Sequence, residues 1–180
     1  RAIRDVYKRQ VLSGSGRFAL DGTGTVLLTG DSSGFTGTTT LNAGTLLVGN
    51  ANGTGHLGGS LDVLAGARLG GSGTIGSGTG SLVRVASGAT IAPGNSIDTL
   101  TIDGNLTFEA GSTLEAEINP ALESDLITVT GQANINGGTV YALKAGGVYL
   151  PESRWTIVTV VGGVTGVFNN LDQNLSLIHI

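Results

Sequence analysis

Three stretches of this 180-residue chain bring reactive side chains close together. Gly30-Asp31-Ser32-Ser33-Gly34 sets serine hydroxyls beside a carboxylate, the residue types of a nucleophilic hydrolase. A serine nucleophile also needs a histidine to take its proton, and a carboxylate to orient that histidine. His56 and His179 are the histidines. His56 follows Asn52-Gly53-Thr54-Gly55, a stretch of turn composition, and reads as a solvated loop residue. Glu115 and Glu117 alternate, so they would share one face of a strand and could pair as acid and base. Two glutamates facing water is the simpler reading. Gly70 to Gly80 is rich in glycine but holds no lysine and leads into no helix, so it is no phosphate-binding loop. Without cysteine there is no disulfide framework and no thiolate metal site. We expect no catalytic, cofactor-binding or metal-binding residues, no cofactor, and no enzymatic activity.

The elements that would carry these residues are short strands. Gly accounts for 32 residues and Pro for 3, a composition that disfavours long helices. Mean hydropathy is +0.25, which excludes simple disorder. No apolar run is long enough for a membrane-spanning helix. Strands are predicted at Thr25 to Thr29, Thr45 to Val48, Leu61 to Leu64, Leu82 to Val85, Thr99 to Ile102, Asn105 to Glu109, Thr113 to Ile118, Leu126 to Thr130, Thr139 to Leu143 and Trp155 to Val160. Most alternate with period two. Leu114, Ala116 and Ile118 would face inward, with Glu115 and Glu117 outward. Leu100 and Ile102 would also face inward. Asp21-Gly22, Asn52-Gly53, Asp103-Gly104 and Asn136-Gly137 read as turns, and Asn119 to Glu123 as a loop thrown out between two strands.

The strands repeat. Gly59-Ser60-Leu61, Gly80-Ser81-Leu82 and Gly104-Asn105-Leu106 align at spacings of 21 and 24 residues. Each leads through a strand to a small-residue turn: Ala65-Gly66-Ala67, Ala86-Ser87-Gly88-Ala89 and Ala110-Gly111-Ser112. A drifting period of this size is a solenoid signal. The fold expected is all-β, a parallel β-helix with small loops. A β-sandwich or small barrel is the rival. Single-glycine turns, an aromatic content of 4% and the drifting repeat favour the solenoid. Enzymes on such a fold gather Asp, Arg and Lys in one groove, whereas Arg17, Arg68, Arg84, Lys144 and Arg154 are scattered.

The two ends break the pattern. Asp5 to Gln10 reads DVYKRQ and Leu175 to Ile180 reads LSLIHI. These are translations of a transposase recognition sequence used in sequencing-library preparation and of its reverse complement. We expect residues 1–10 and 175–180 to be adapter read-through, with 11–174 as the natural segment and both true termini missing. The whole chain carries 9 basic and 13 acidic residues. Without Arg1, Arg4, Lys8, Arg9 and Asp5 the balance is 5 basic against 12 acidic, a net of −7. Such a surface excludes nucleic acid and anionic lipid as partners.

Gly22 to Val48, GTGTVLLTGDSSGFTGTTTLNAGTLLV, resembles the autotransporter-associated β-strand repeat. Gly24, Leu28, Gly30, Gly37, Thr38, Gly44, Leu46 and Val48 fall on its pattern, while Ser32-Ser33-Gly34-Phe35 departs from it. Ala92 to Asn119, APGNSIDTLTIDGNLTFEAGSTLEAEIN, and Ser124 to Leu143 are similar to late passenger regions. Gly147-Val148-Tyr149 and Trp155 to Leu171 are similar to the junction before the translocator barrel. The repeat-like part is 22–48 and the late-passenger region about 124–171. The resemblance implies a right-handed parallel β-helix, exported unfolded through the bacterial outer membrane and anchored at the cell surface by its own C-terminal β-barrel, absent from this chain. This segment itself would not insert in the membrane. It implies a structural stalk or surface region, adhesive towards a host or cell-surface ligand, whose C-terminal coils aid folding. The alternatives are the non-catalytic stalk of an autotransporter enzyme with its active site in the missing N-terminal part, and a fragment of a two-partner-secreted adhesin. We further expect Thr139 to Phe168, with four of the seven Phe, Tyr and Trp residues of 11–174, to be the most stable part, and the cut solenoid ends to invite aggregation.

Overall fold

The computed structural model describes residues 6–8, 11–50, 54–94 and 96–173. Among them there are strands and turns but no helix. The strands form three sheets, each an ordered stack. Face I holds β1 (Val6–Lys8), β3 (Thr25–Leu28), β6 (Thr45–Val48), β9 (Arg68–Gly71), β12 (Thr90–Pro93), β15 (Thr113–Ile118), β18 (Thr139–Lys144) and β21 (Asn170–Gln173). Face II holds β4 (Asp31–Ser32), β7 (His56–Leu57), β10 (Thr74–Gly76), β13 (Thr99–Asp103), β16 (Leu126–Val129) and β19 (Val158–Val160). Face III holds β2 (Arg17–Leu20), β5 (Thr38–Leu41), β8 (Ser60–Val63), β11 (Leu82–Val85), β14 (Asn105–Phe108), β17 (Ala133–Ile135) and β20 (Val164–Gly166). From β2 onward the chain visits III, I and II in unbroken rotation, and neighbouring strands in a sheet run parallel. This is a three-sided parallel β-solenoid, as expected.

Each strand puts every second side chain inside, so the interior is a set of rows along the axis. On face III the row runs Phe18, Thr39, Leu61, Val83, Leu106, Ala133, Val164. On face I, Leu46, Leu69, Ile91, Leu114 and Val140 follow one another. On face II, Ile75, Ile102, Val129 and Val160 do so. Leu46, Leu61, Leu69, Ile75, Val83, Ile91, Leu106 and Val129 have essentially no solvent exposure, and each such side chain contributes roughly 1.5–3 kcal/mol. Leu100, Ile102, Leu114, Ala116 and Ile118 are buried as the alternation predicts. The edge-on contact of Phe108 with Phe168, 4.9 Å between ring centres, fills the corner between faces III and I.

The three small-residue turns all land at that corner. There Gly66, Gly88 and Gly111 adopt φ of +80°, +75° and +82°. Their amides form a column, Gly66 N–H donating to Gly88 and Gly88 N–H to Gly111. A left-handed backbone of this kind is costly for any residue with a Cβ. Variation in coil length collects instead between faces I and II. Matched residues are 21 apart from Phe18 to Thr39 and 31 apart from Ala133 to Val164. The added length sits in the loops after β15 and β18. The first is the Asn119 to Glu123 loop, closed by the Asn119 side chain accepting from the Ala121 and Glu123 amides.

Three expectations need correction. The repeat slips by one residue in its second copy: Leu61 pairs with Val83, not Leu82, and Val83 pairs with Leu106, giving spacings of 22 and 23. A one-residue slip exchanges the two faces of a strand, and Leu82 indeed lies 37% exposed while Val83 is buried. Second, Thr139 to Phe168 is not the best-packed region. Burial falls away there, and β20, the last described strand of its sheet, is exposed throughout. Third, strands exist that the alternation did not mark, including β7, β9, β10 and β12; β7 has two residues between glycines, and the others end in glycine or proline. Asn52-Gly53, the segments 1–5 and 9–10, and Leu175 to Ile180 lie outside the described residues. β1, inside the segment expected to be adapter-encoded, pairs with the free edge of β3, as an extended segment with unpaired amides does.

Two substitutions test the register and the core. Val83→Asp should abolish cooperative folding or cost more than about 3 kcal/mol, while Leu82→Asp should cost about 1 kcal/mol or less; equal urea-melt losses would show that the register is misassigned. Thr39 is an interior residue whose hydroxyl has no partner. Thr39→Val keeps the shape and removes that orphaned hydroxyl, so stability should rise by about 1 kcal/mol in the same measurement.

Candidate functional site

The residues flagged for chemistry fall on different faces, and their reactive atoms are largely engaged in holding coils together. Asp31 and His56 are direct neighbours across β4 and β7, a proximity the sequence did not show. His56 heads a strand rather than sitting in a solvated loop. Its Nε2 lies 2.7 Å from the Gly76 carbonyl, so Nε2 carries the proton and donates it to the next coil. Asp31 accepts from the Ser33 amide at 3.0 Å. Hydrogen bonds from Ser33 hold this carboxyl below the usual range, with a smaller pull from His56. Ser32 is buried, and its Oγ accepts from the Leu12 amide at 2.9 Å. No serine hydroxyl is placed here to give its proton to His56.

Glu115 and Glu117 do share the outer side of β15, but they do not act as a pair. Glu115 reaches across β12 to Arg68, on β9, in a two-pronged ion pair with one arm of 2.9 Å. That hydrogen bonding lowers the Glu115 carboxyl and raises the Arg68 guanidinium. Fixed charge of this kind is the reverse of what a proton-transfer pair needs. On face III, Arg84 Nε donates to Glu109 at 2.9 Å and lowers that carboxyl in the same way. Lys144 lies 5.7 Å from the centre of the Tyr149 ring. Arg68 and Lys144 thus lie three strands apart on face I, and Arg17 and Arg84 three strands apart on face III. Among the described residues no group of three or more His, Asp or Glu could hold a metal ion.

The arrangement most like a site is a cleft of about 300 Å³ outside face I, where that face turns towards face II. Arg68 and Glu115 close one side, Ala92 and Gly94 form the floor, and Glu117 and Asp125 stand at the far end. Asp125 is 2% exposed. One carboxylate oxygen accepts from the Asp98 amide at 3.1 Å and the other from the Glu117 amide at 2.8 Å. It thus ties the loop after β12 to the end of β15. Burial pushes its carboxyl up to about 6, and the two amide bonds counter that in part. Sequence reasoning missed Asp125, because one Asp ahead of a strand has the composition of any surface turn.

Asp125 gives a pH signature. Its folded value lies above its unfolded one, so the native state binds the proton more tightly between about pH 6 and pH 4, and acidification through that window adds stability. From pH 7 to pH 5 the gain should be about 1 kcal/mol, and it should vanish in Asp125→Asn, which cannot titrate. Below that window Glu109 and Glu115, whose values are lowered, give up stability. Urea melts at the two pH values check this; an equal gain in the variant would rule out Asp125 as its source.

No protein-family model matches the sequence. Across 178 aligned residues the chain is 28% identical to an extracellular serine protease of Serratia marcescens. The match takes in 94% of this chain and 16% of that protein, so the chain spans less than a fifth of its relative's length.

Proposed function

We propose that this chain is a non-catalytic solenoid segment of an exported surface protein, a stalk of the autotransporter-passenger type. The observation that carries the reading is the use made of the reactive residues. His56 donates to a backbone carbonyl of the next coil, Ser32 accepts a backbone amide, and Asp125 accepts two. Arg68 and Arg84 are each held by a glutamate of a later coil. Chemistry-bearing groups here close coils on one another. Likeness to part of a secreted protease supports an extracellular place for such a segment. In this reading a C-terminal β-barrel anchors the protein at the outer membrane, and the outer faces meet a host or cell-surface ligand. The late coils help the rest to fold, because each completed coil is the template edge for the next.

A second reading is favoured by the identity of the relative. A protein named as an extracellular serine protease that is matched over 16% of its length leaves ample room for a catalytic part elsewhere. The chain would then be the stalk of an exported enzyme.

The test is a chimera in which residues 11–174 replace the matched segment of the Serratia protease. Release of active protease to the medium, equal to that of the parent, is the expected result. Chimeric protein that reaches the medium but has lost hydrolysis would show that the segment carries part of the catalytic machinery. Retention inside the cell would remove the stalk reading.

A further inference from the structure

We propose that the cleft outside face I binds an uncharged oligosaccharide laid along the solenoid axis. The inference rests on the surface-stalk reading above and names the ligand class that its outer surface would meet. The cleft arises from a gap in one outward row. Leu47 is followed there by Gly70 and Ala92, and large side chains resume with Glu115 and Tyr141 on the next two strands. Gly70 has no room for a side chain, since a Cβ on it would stand 2.6 Å from the Ala92 carbonyl oxygen. The resulting notch takes in residues of β3, β6, β9, β12 and β15. Neighbouring strands lie about 4.8 Å apart, so it follows the axis for roughly 19 Å. Its volume of about 300 Å³ is at the small end for ligand sites.

The lining selects the ligand. Thr25, Thr45 and Glu117 reach the cleft, and among the described residues their side chains have no hydrogen-bond partner. Two hydroxyls and a carboxylate are thereby left to an incoming polar group. Arg68 spends one N–H of each terminal nitrogen on Glu115 and keeps its other donors. Leu47, Ala92 and Pro93 supply an apolar strip beside these groups. A sugar ring carries both surfaces required. Its C–H face lies on the strip, and neighbouring hydroxyls on its edge donate to the Glu117 carboxylate in charge-assisted bonds. One ring of a chain is about as long as one strand spacing, so successive rings meet successive strands. Charge sets other ligands apart. Glu115, Glu117 and Asp125 stand against one guanidinium and turn anions away. A cation would find Glu117 alone, with Arg68 opposing it, because Glu115 is committed to Arg68 and both Asp125 oxygens to amides.

An NMR titration of the full chain, isotopically labelled in its methyl groups, tests this with tetrasaccharide probes. Cellotetraose, maltotetraose and the N-acetylglucosamine tetramer are the neutral probes, tetragalacturonate the anionic one and the glucosamine tetramer the cationic one. At least one neutral probe should bind saturably. It should shift the methyl signals of Thr25, Thr45, Leu47 and Ala92 together, while those of Thr74, Thr101 and Thr128 on face II stay in place. Both charged probes should bind at least about tenfold more weakly. Glu117→Ala, a change at an exposed side chain, should weaken neutral binding about tenfold with the melting temperature kept. Ala92→Leu, which fills the notch, should abolish it. No saturable binding of any neutral probe would overturn the inference. So would tighter binding of a charged probe, shifts confined to another face, or undiminished binding by folded Glu117→Ala. The protease chimera keeps the two readings apart: full release of active chimera by a segment that binds no neutral probe sinks the saccharide site and leaves the stalk standing.

Discussion

Strands in this molecule find their sheet partners in the coil before and the coil after, never in their own. That constraint governs the rest. A single coil leaves both edges of its three strands unpaired and one side of its apolar interior open, so it has little stability alone. Two neighbouring coils satisfy each other only if their inward side chains lie in one row, which fixes the register residue by residue. Leu82 and Val83 show the force of this: the better repeat match puts Leu82 inside, and the ladder puts Val83 there.

Register also explains where the chain is free to vary. The corner between faces III and I repeats a small turn with a left-handed glycine, and its amides bond directly along the axis. An insertion there would break the column. At the corner between faces I and II the loops point outward, and the coils lengthen there towards the C-terminal end. Longer loops need separate fastening. Asp125 fastens one of them through two backbone amides at the cost of burying a carboxyl, and Tyr149 and Trp155 fasten the next through the Ile118 and Asn119 carbonyls. The ion pairs on the outer faces do related work across strands, Arg68 to Glu115 reaching over β12. Being half-exposed, each contributes on the order of 1 kcal/mol or less.

The fold class was legible because period-two alternation and the glycine-marked turns act locally and survive in sequence. Ten strands were readable for that reason, and Leu100, Ile102 and Leu114 to Ile118 were placed on the correct side. β7, β9, β10 and β12 were not, since two to four residues that contain or are bounded by glycine or proline carry no alternation to detect; the neighbouring coils impose their extended form. The pairing of Asp31 with His56 and the clasp made by Asp125 were illegible for a different reason. Both join residues one coil apart in space and about 25 apart in sequence, and their spacing is set by the lengths of corners that themselves vary.

The same argument limits where function can sit. Inward residues are committed to the rows, and small-turn residues to the glycine column. What remains free to differ is the outward half of each strand and the loops between faces I and II. The cleft bounded by Arg68, Glu115 and Asp125 lies where those two freedoms meet, yet these three charges are already paired with one another or with backbone amides. A groove that bound a charged ligand would have to break such pairs and bear the desolvation left behind.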